Sequence, residues 1–174
     1  MNRLIALSLL VLLSPLWGLV LLLTLLMQGR PLFFLQERVG RHKKVFAIYK
    51  LRTMHAQKIT PWGKILRNTG LDEFPQLINI VKGEMSFFGP RPLTHFDIER
   101  LGWNTPYHDK RWKVTPGITG LAQLYPVCNQ KKSWLCDVYY CQHKSVCLNM
   151  SILIQTLLVL VIGKEKLKKY KRKW

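Results

Sequence analysis

Residues 4–27 contain no charged side chain. A helix of this length extends roughly 36 Å at about 1.5 Å per residue, and the hydrocarbon core of a bilayer is about 30 Å thick. A cleaved signal peptide explains the run less well, because its apolar region usually has about 7 to 15 residues and precedes a small-residue cleavage site. We therefore predict a membrane helix at residues 1–28 and one further domain at residues 29–174.

The charges predict the orientation of this helix. Arg3 is the one base that precedes the apolar run, and all nine acids follow it together with the other Lys and Arg residues. The flank that is richer in bases stays in the cytoplasm, so we expect a cytoplasmic domain. The net charge of +18 also requires an anionic partner: nucleic acid, an anionic membrane surface or phosphorylated substrates.

Ser14 and Pro15 lie near the middle of the apolar run. Proline removes a backbone donor and clashes with the preceding turn, so we predict a bend there. Two interpretations remain open at this point. The helix spans the membrane with a kink, which membrane helices tolerate, or it turns back and enters one leaflet with both ends in the cytoplasm.

Local patterns predict short elements after the membrane helix. Residues 45–49 are β-branched and aromatic, which favours a strand. A helix is expected to begin at Pro61 with Thr60 as its N-cap, and to end near Gly70. Residues 115–120 contain a Pro-Gly pair and are expected to form a rigid turn.

A second helix is predicted to begin at Leu71 or Asp72 and to end at Gly83. Asp72 and Glu73 form the one adjacent acidic pair in the chain. In a first helical turn they could simply cap the helix, because free backbone donors there favour negative charge. Carboxylates kept among so many bases also suit chemistry on an anionic substrate. The apolar face of this helix is predicted to contain Phe74, Leu77, Ile78 and Val81.

Arg91 lies between two prolines, and each proline restricts the backbone beside it. A guanidinium on a stiff backbone suits bidentate phosphate binding. The alternative is an ordinary proline-rich turn with a solvated arginine.

Taken together, these motifs resemble the bacterial sugar transferase family, and in particular its small monotopic phosphoglycosyl transferases. The resemblance covers nearly the whole chain, and several motifs in matching order are more specific than any one of them. The residues that carry it are 36–40, 49–54, 71–79, 83–92 and 116–120.

The resemblance implies transfer of a sugar 1-phosphate from a UDP-sugar to a polyprenol phosphate, expected to be undecaprenyl phosphate, with release of UMP. Asp72 is then the nucleophile and forms an aspartyl phosphosugar. Asp72 and Glu73 together hold Mg²⁺. Lys50, Arg67 and Arg91 stabilise the substrate phosphates.

The resemblance also implies an α-rich α+β fold that associates with the cytoplasmic face of the bacterial inner membrane. It favours a re-entrant N-terminal helix broken at Ser14 and Pro15. Amphipathic interfacial helices and a small β element complete this fold. Anionic lipids are expected partners, and nucleic acid is not.

The C-terminal segment fits an interfacial helix. Residues 151–163 are mostly apolar but too short to span a membrane, and residues 164–173 contain seven bases and one acid. A buried core helix with a solvated tail is the alternative.

Asn149 stands where the resemblance implies an aspartate, and an amide in place of this carboxylate is expected to weaken the metal or substrate network. The alternative function is a catalytically impaired, membrane-anchored scaffold or nucleotide-sugar-binding protein. The four cysteines, Cys128, Cys136, Cys141 and Cys147, lack a zinc spacing and are expected to be reduced thiols.

Overall fold

A computed structural model describes residues 2–125 and 129–162 of the chain, with side chains up to residue 159. The helices are α1 Asn2–Leu12, α2 Ser14–Gln28, α3 Pro61–Thr69, α4 Gln76–Lys82, α5 His95–Leu101, α6 Gln130–His143 and α7 Val146–Ile162. The strands are β1 Phe33–Val39, β2 Val45–Leu51, β3 Met54–His55, β4 Lys58–Ile59, β5 Ser86–Phe88 and β6 Gly117–Thr119. They pair as three two-stranded sheets, β1–β2, β3–β4 and β5–β6. The expected helix-rich fold with a small β component is confirmed.

The chain forms two compact units. The first contains Met1–Glu37 and Ala47–Met85, and the second contains Arg38–Phe46 and the described residues from Ser86 onward. Each unit has its own core. Val20, Leu51 and Leu66 form the centre of the first, and the second contains a cluster that includes Trp103 and Trp112.

The predicted bend in the N-terminal apolar segment is confirmed. α1 and α2 meet at 65°. Pro15 has no N–H to donate to the Val11 carbonyl four residues earlier, and the Ser14 hydroxyl donates to that oxygen instead, at 2.8 Å. No single helix in the described residues is long and apolar enough to cross a membrane, whereas the bent pair meets the length and composition requirement together.

The strand predicted at residues 45–49 and the helix predicted from Pro61 are also confirmed. β2 contains the whole of residues 45–49. The Thr60 hydroxyl accepts a hydrogen bond from the Gly63 N–H at 2.9 Å, and α3 ends before Gly70, whose φ of 74° is the left-handed stop. The two cap residues, Thr60 and Gly70, therefore determine where α3 begins and ends.

The second predicted helix begins later than expected. Leu71–Glu73 form a separate 3-10 turn, and α4 begins only at Gln76. Pro75 lacks the N–H that would continue an α-helical ladder, so Asp72 and Glu73 do not lie in the first turn of an α-helix. The predicted apolar face is partly wrong as well, because Ile78 is exposed while Asn79 is fully buried.

In the second unit, the turn predicted at residues 115–120 contains a strand. β6 pairs in parallel with β5, with Ser86 opposite Gly117 and Phe88 opposite Thr119. A Cβ on Gly117 would lie 2.1 Å from the backbone nitrogen of Gly89. Glycine is therefore required at this position for the two backbones to approach so closely.

α7 is longer than the predicted apolar segment. Ile152 is fully buried beside Tyr140 and Leu124, whereas Ile154 and Leu157 are exposed. The described part of the helix therefore combines a core face with an exposed apolar face. The predicted basic tail at residues 164–173 lies outside the described residues.

Candidate functional site

The acidic pair lies in the 3-10 turn of the first unit. The Glu73 N–H donates to the Gly70 carbonyl at 3.1 Å and the Phe74 N–H donates to the Leu71 carbonyl at 3.3 Å, which closes the turn. Asp72 is 9% exposed. Its neighbour is more open, with 32% of the Glu73 side chain exposed. The turn thus presents two adjacent carboxylates in different surroundings.

Lys50 and Glu73 form a direct ion pair. The Lys50 Nζ atom lies 2.6 Å from Glu73 Oε1, and 18% of the lysine side chain is exposed. Within residues 2–125 and 129–162, Asp72 forms no such pair. One carboxylate is therefore neutralised by a base, while the other remains available.

Buried Asn79 holds the strand that carries Lys50. Its Nδ2 donates to the Ala47 carbonyl at 2.7 Å, and its Oδ1 accepts from the Tyr49 N–H at 3.2 Å. Nδ2 also donates to Glu84 Oε2 at 2.7 Å. The middle of α4 thereby fixes β2 just before Lys50.

Arg67 lies on α3, and its guanidinium is held by the residues that follow β2. The Arg67 Nε donates to the Thr53 hydroxyl at 2.8 Å. The side chain of Thr53 is buried, whereas Arg67 is exposed. This hydrogen bond to a buried residue restricts the orientation of the Arg67 guanidinium.

These groups set the electrostatics of Asp72. Burial raises the pKa of Asp72, and the negative charge of Glu73 raises it further. The positive charges of Lys50 and Arg67 act in the opposite direction. Four of the five predicted catalytic and phosphate-binding residues therefore act on one another in one unit.

The fifth predicted residue, Arg91, belongs to the second unit. Its side chain is exposed, and its backbone carbonyl accepts a hydrogen bond from Arg111 Nη2. Arg111 Nε also donates to Asp137 Oδ2 at 2.7 Å, and these two side chains are 3% and 4% exposed. A buried ion pair therefore anchors the backbone of the proline-flanked turn.

Asn149 contributes to the same unit through Tyr140. The Tyr140 hydroxyl oxygen lies 3.0 Å from the Phe88 carbonyl oxygen and 3.0 Å from Asn149 Oδ1. Phe88 immediately precedes the Gly89–Pro92 turn in the chain. Tyr140 therefore links Asn149 on α7 to the residue that precedes this turn.

Sequence reasoning missed the Arg111–Asp137 pair and the role of Thr53. A signal for the first was present: Asp137 lies among apolar and aromatic residues in a chain with only nine acids, and an acid in such a position requires a buried partner. No comparable signal marked Thr53, because its partner Arg67 is fourteen residues away on another element.

The described residues contain no group of three or more His, Cys, Asp or Glu that could hold a metal by themselves. Asp72 and Glu73 nevertheless carry carboxylates at adjacent positions of the turn, and the hydrogen bond from Lys50 engages Oε1 of Glu73. Among the described residues, Cys136, Cys141 and Cys147 are not joined in a disulfide, and Cys128 lies outside the described part of the chain.

Comparison with known proteins agrees with the motifs. Residues 1–163 match the family described as "Bacterial sugar transferase". A protein named "Uncharacterized sugar transferase EpsL" from Bacillus subtilis (strain 168) is 36% identical over 143 residues, which are 74% of this chain and 69% of the relative.

Two further relatives have names that state a reaction. The "UDP-N-acetylgalactosamine-undecaprenyl-phosphate N-acetylgalactosaminephosphotransferase" of Aeromonas hydrophila is 32% identical over 86% of this chain and 40% of the relative. The "UDP-glucose:undecaprenyl-phosphate glucose-1-phosphate transferase" of Caulobacter vibrioides (strain ATCC 19089 / CIP 103742 / CB 15) is 36% identical over 64% of this chain and 47% of the relative. The chain thus spans less than half the length of either protein.

Proposed function

This chain belongs to the bacterial sugar transferase family, and we propose that it transfers a sugar 1-phosphate from a UDP-sugar to a polyprenol phosphate, releasing UMP. The observation that carries the proposal is the acidic turn: Glu73 is paired with Lys50. Asp72, which forms no ion pair with the described part of the chain, lies in the field of Lys50 and Arg67. Two relatives named for undecaprenyl phosphate support that lipid as the acceptor. The product would start a surface glycan.

The reaction proceeds in two displacements at one phosphorus atom. A carboxylate oxygen of Asp72 attacks the phosphorus that bears the sugar, and the bond from this phosphorus to the bridging oxygen breaks, so UMP leaves with the electron pair. An oxygen of the polyprenol phosphate then attacks the same phosphorus. The aspartyl–phosphorus bond breaks, and the carboxylate is regenerated.

The basic residues stabilise the charge that develops on the transferred phosphate. Lys50 and Arg67 already act electrostatically on Asp72, so they are suited to offset repulsion between this carboxylate and an anionic donor. Arg91 supplies a guanidinium that matches phosphate geometry. Its backbone is anchored by Arg111.

The two carboxylates fit Mg²⁺. This ion is usually held by one or two carboxylates together with waters and substrate phosphates, rather than by a cage of protein ligands. Asp72 and Glu73 would hold it, and when bound it would neutralise charge on the donor phosphates. Lys50 remains paired with one oxygen of Glu73, which leaves the second oxygen for the ion.

We place the enzyme at the cytoplasmic face of the bacterial inner membrane, with α1 and α2 inserted in one leaflet. The 65° bend and the exposed apolar side chains of Leu12, Leu19 and Leu26 support this arrangement. The exposed apolar face of α7 suits the membrane interface and its anionic lipids. A polyprenol phosphate could then react without leaving the bilayer.

The test is nucleotide release by membranes that contain the full chain, with a panel of UDP-sugars, undecaprenyl phosphate and Mg²⁺. We expect UMP from the natural sequence, none from Asp72→Asn, and normal UMP release from the matched control Asp109→Asn, which lies in an exposed ion pair. Release of UDP, or UMP release that survives Asp72→Asn, would contradict the proposal.

The alternative of an inactive scaffold or nucleotide-sugar-binding protein is motivated by Asn149. If no nucleotide is released by a folded, membrane-bound protein, Asn149→Asp is the next variant. A carboxylate at this position still accepts a hydrogen bond from Tyr140. Activity gained by Asn149→Asp, together with nucleotide-sugar binding by the natural sequence, would favour the alternative.

A further inference from the structure

The C-terminal end of α2 is tied to the chain that follows β2. The last carbonyls of a helix lack partners within the helix. The carbonyls of Gln28, the last residue of α2, and of Gly29, its C-cap, both accept hydrogen bonds from Arg52 Nη2, the second at 3.0 Å. A positive charge at this end of a helix is also favourable for the helix dipole.

The side chain of Gln28 reaches two different segments. Its Nε2 donates to the Arg52 carbonyl at 3.1 Å, and its Oε1 accepts from the Thr60 hydroxyl at 2.8 Å. An amide can do both because it carries a donor and an acceptor, whereas a hydrocarbon can do neither. Arg52 lies two residues after Lys50, and Thr60 is the N-cap of α3, which carries Arg67.

Thr24 makes a second connection one helical turn earlier. Its side chain is fully buried, and its hydroxyl accepts a hydrogen bond from Trp62 Nε1 at 3.0 Å. Trp62 lies in the first turn of α3. Thr24 and Gln28 are four residues apart, so they share one face of α2.

α3 is in turn fastened to the end of β2. Thr53 is the point of contact: its hydroxyl accepts from Arg67, and a Cβ on Gly63 would lie 2.1 Å from its carbonyl oxygen. The apolar helix, the Lys50 segment and α3 thus form one hydrogen-bonded frame around the residues that act on Asp72.

We propose that Gln28 is a positioning residue for phosphosugar transfer, because it fixes the segments that carry Lys50 and Arg67. The inference rests on the proposed function. The apolar helix pair is then part of the framework of the site as well as an anchor.

The experiment compares Gln28→Leu with Met27→Leu in the full-length protein, using undecaprenyl phosphate, Mg²⁺ and the preferred UDP-sugar. Met27 is exposed, so its replacement is the matched control. Because misplacement of about 1 Å can cost about 100-fold in rate, we expect kcat/KM for the UDP-sugar to fall by between about tenfold and about 100-fold in Gln28→Leu, with a raised donor KM. Loss of folded protein alone would lower the apparent kcat and leave KM unchanged.

Thr24 provides a matched pair of variants for the same frame. Thr24→Ser keeps the hydroxyl that accepts from Trp62, whereas Thr24→Val removes it at nearly constant volume. We expect the donor KM to rise in Thr24→Val and to stay near its original value in Thr24→Ser. Equal behaviour of the two variants contradicts the role of the frame.

Hydrogen exchange separates failure of the positioning role from failure of the proposed function. In Gln28→Leu, the Arg52 and Thr60 amides should exchange faster, because their bonds to the Leu32 and Thr53 carbonyls lose support, while exchange in α5 stays unchanged. Unaltered exchange at residues 52 and 60 overturns the positioning role whether or not transfer is observed. A natural chain that releases no UMP overturns the proposed function, and exchange then shows only whether Gln28 fixes the segments of Arg52 and Thr60.

Discussion

Lys50 Nζ lies 2.6 Å from Glu73 Oε1. Burial and the charge of Glu73 raise the pKa of the adjacent Asp72, and the same lysine partly offsets this rise. One lysine thus pairs with one carboxylate and makes its neighbour easier to ionise. This relationship gives the two residues of the acidic pair different chemistry.

Replacing Lys50 with methionine should shift the pH profile of transfer. Without this positive charge, the pKa of Asp72 rises further, because Lys50 no longer opposes the effect of burial. The negative charge of Glu73, which also raises this pKa, is then no longer neutralised by Lys50. The carboxylate is the reactive form, so transfer declines as the pH falls through this pKa, and the acid limb moves to higher pH in Lys50→Met. We also expect kcat to fall by about 100-fold. UMP release measured across pH is the test, with exposed Lys64→Met as control. Coincident acid limbs in the natural protein and Lys50→Met would contradict the assignment.

Asp72→Asn should stabilise the fold at neutral pH while it abolishes transfer. The pKa of Asp72 is raised in the folded state, so the folded protein disfavours the charged form. Stability is therefore lost as the pH rises from the unfolded-state pKa through the folded-state pKa. The amide removes this penalty, and the advantage of Asp72→Asn should disappear in acid, where Asp72 is protonated. Thermal unfolding of both proteins across this range is the measurement. If Asp72→Asn is instead less stable than the natural protein at neutral pH, the folded state favours the ionised form of Asp72, and this prediction is wrong.

Asp137→Asn should strongly destabilise the second unit. It leaves the buried Arg111 guanidinium without its negatively charged partner, which costs about 3–5 kcal/mol. The comparison is Asp109→Asn, which removes an ion pair with Lys43 whose side chains are 51% and 47% exposed and should cost about 0.2–1 kcal/mol. Denaturant unfolding of the two variants gives the difference. Equal costs would show that the buried pair contributes no more than a surface pair.

Pro15→Ala should weaken the bend and change the membrane topology. In the natural sequence the Val11 carbonyl accepts a hydrogen bond from the Ser14 hydroxyl. Alanine at position 15 restores a backbone N–H that can donate to this carbonyl instead. An epitope at the N-terminus should be reached by antibody only in permeabilised cells for the natural sequence. Exposure of this epitope in intact cells carrying Pro15→Ala is the expected change. If the epitope of the natural sequence is already reached in intact cells, the helix pair spans the membrane and the one-leaflet arrangement is wrong.

The sequence predicted the elements whose ends are determined locally. Thr60 and Gly70 define α3, and Pro15 defines the bend. Pro75 also carried the information that a helix beginning at Asp72 would be interrupted, although the apolar periodicity of residues 71–81 suggested a longer one. Here backbone chemistry outweighed periodicity.

The sequence did not predict the contacts between distant segments. Arg111 and Asp137 are 26 residues apart, and β5 pairs with β6 across about thirty residues because two glycines allow close approach. Gln28 gives no local signal at all, since one glutamine at the end of an apolar helix is compatible with simple solvation. Such partners depend on tertiary packing, which a single sequence does not display.

The most direct measurement is the mass of the protein after incubation with its UDP-sugar and Mg²⁺ in the absence of polyprenol phosphate. We predict an added mass equal to one sugar phosphate, located on the peptide that contains Asp72, and lost when undecaprenyl phosphate is added. Asp72→Asn should remain unmodified. A natural protein that transfers the sugar phosphate to the lipid at full rate, but never carries this group on Asp72 in rapid-quench samples, would contradict the covalent mechanism.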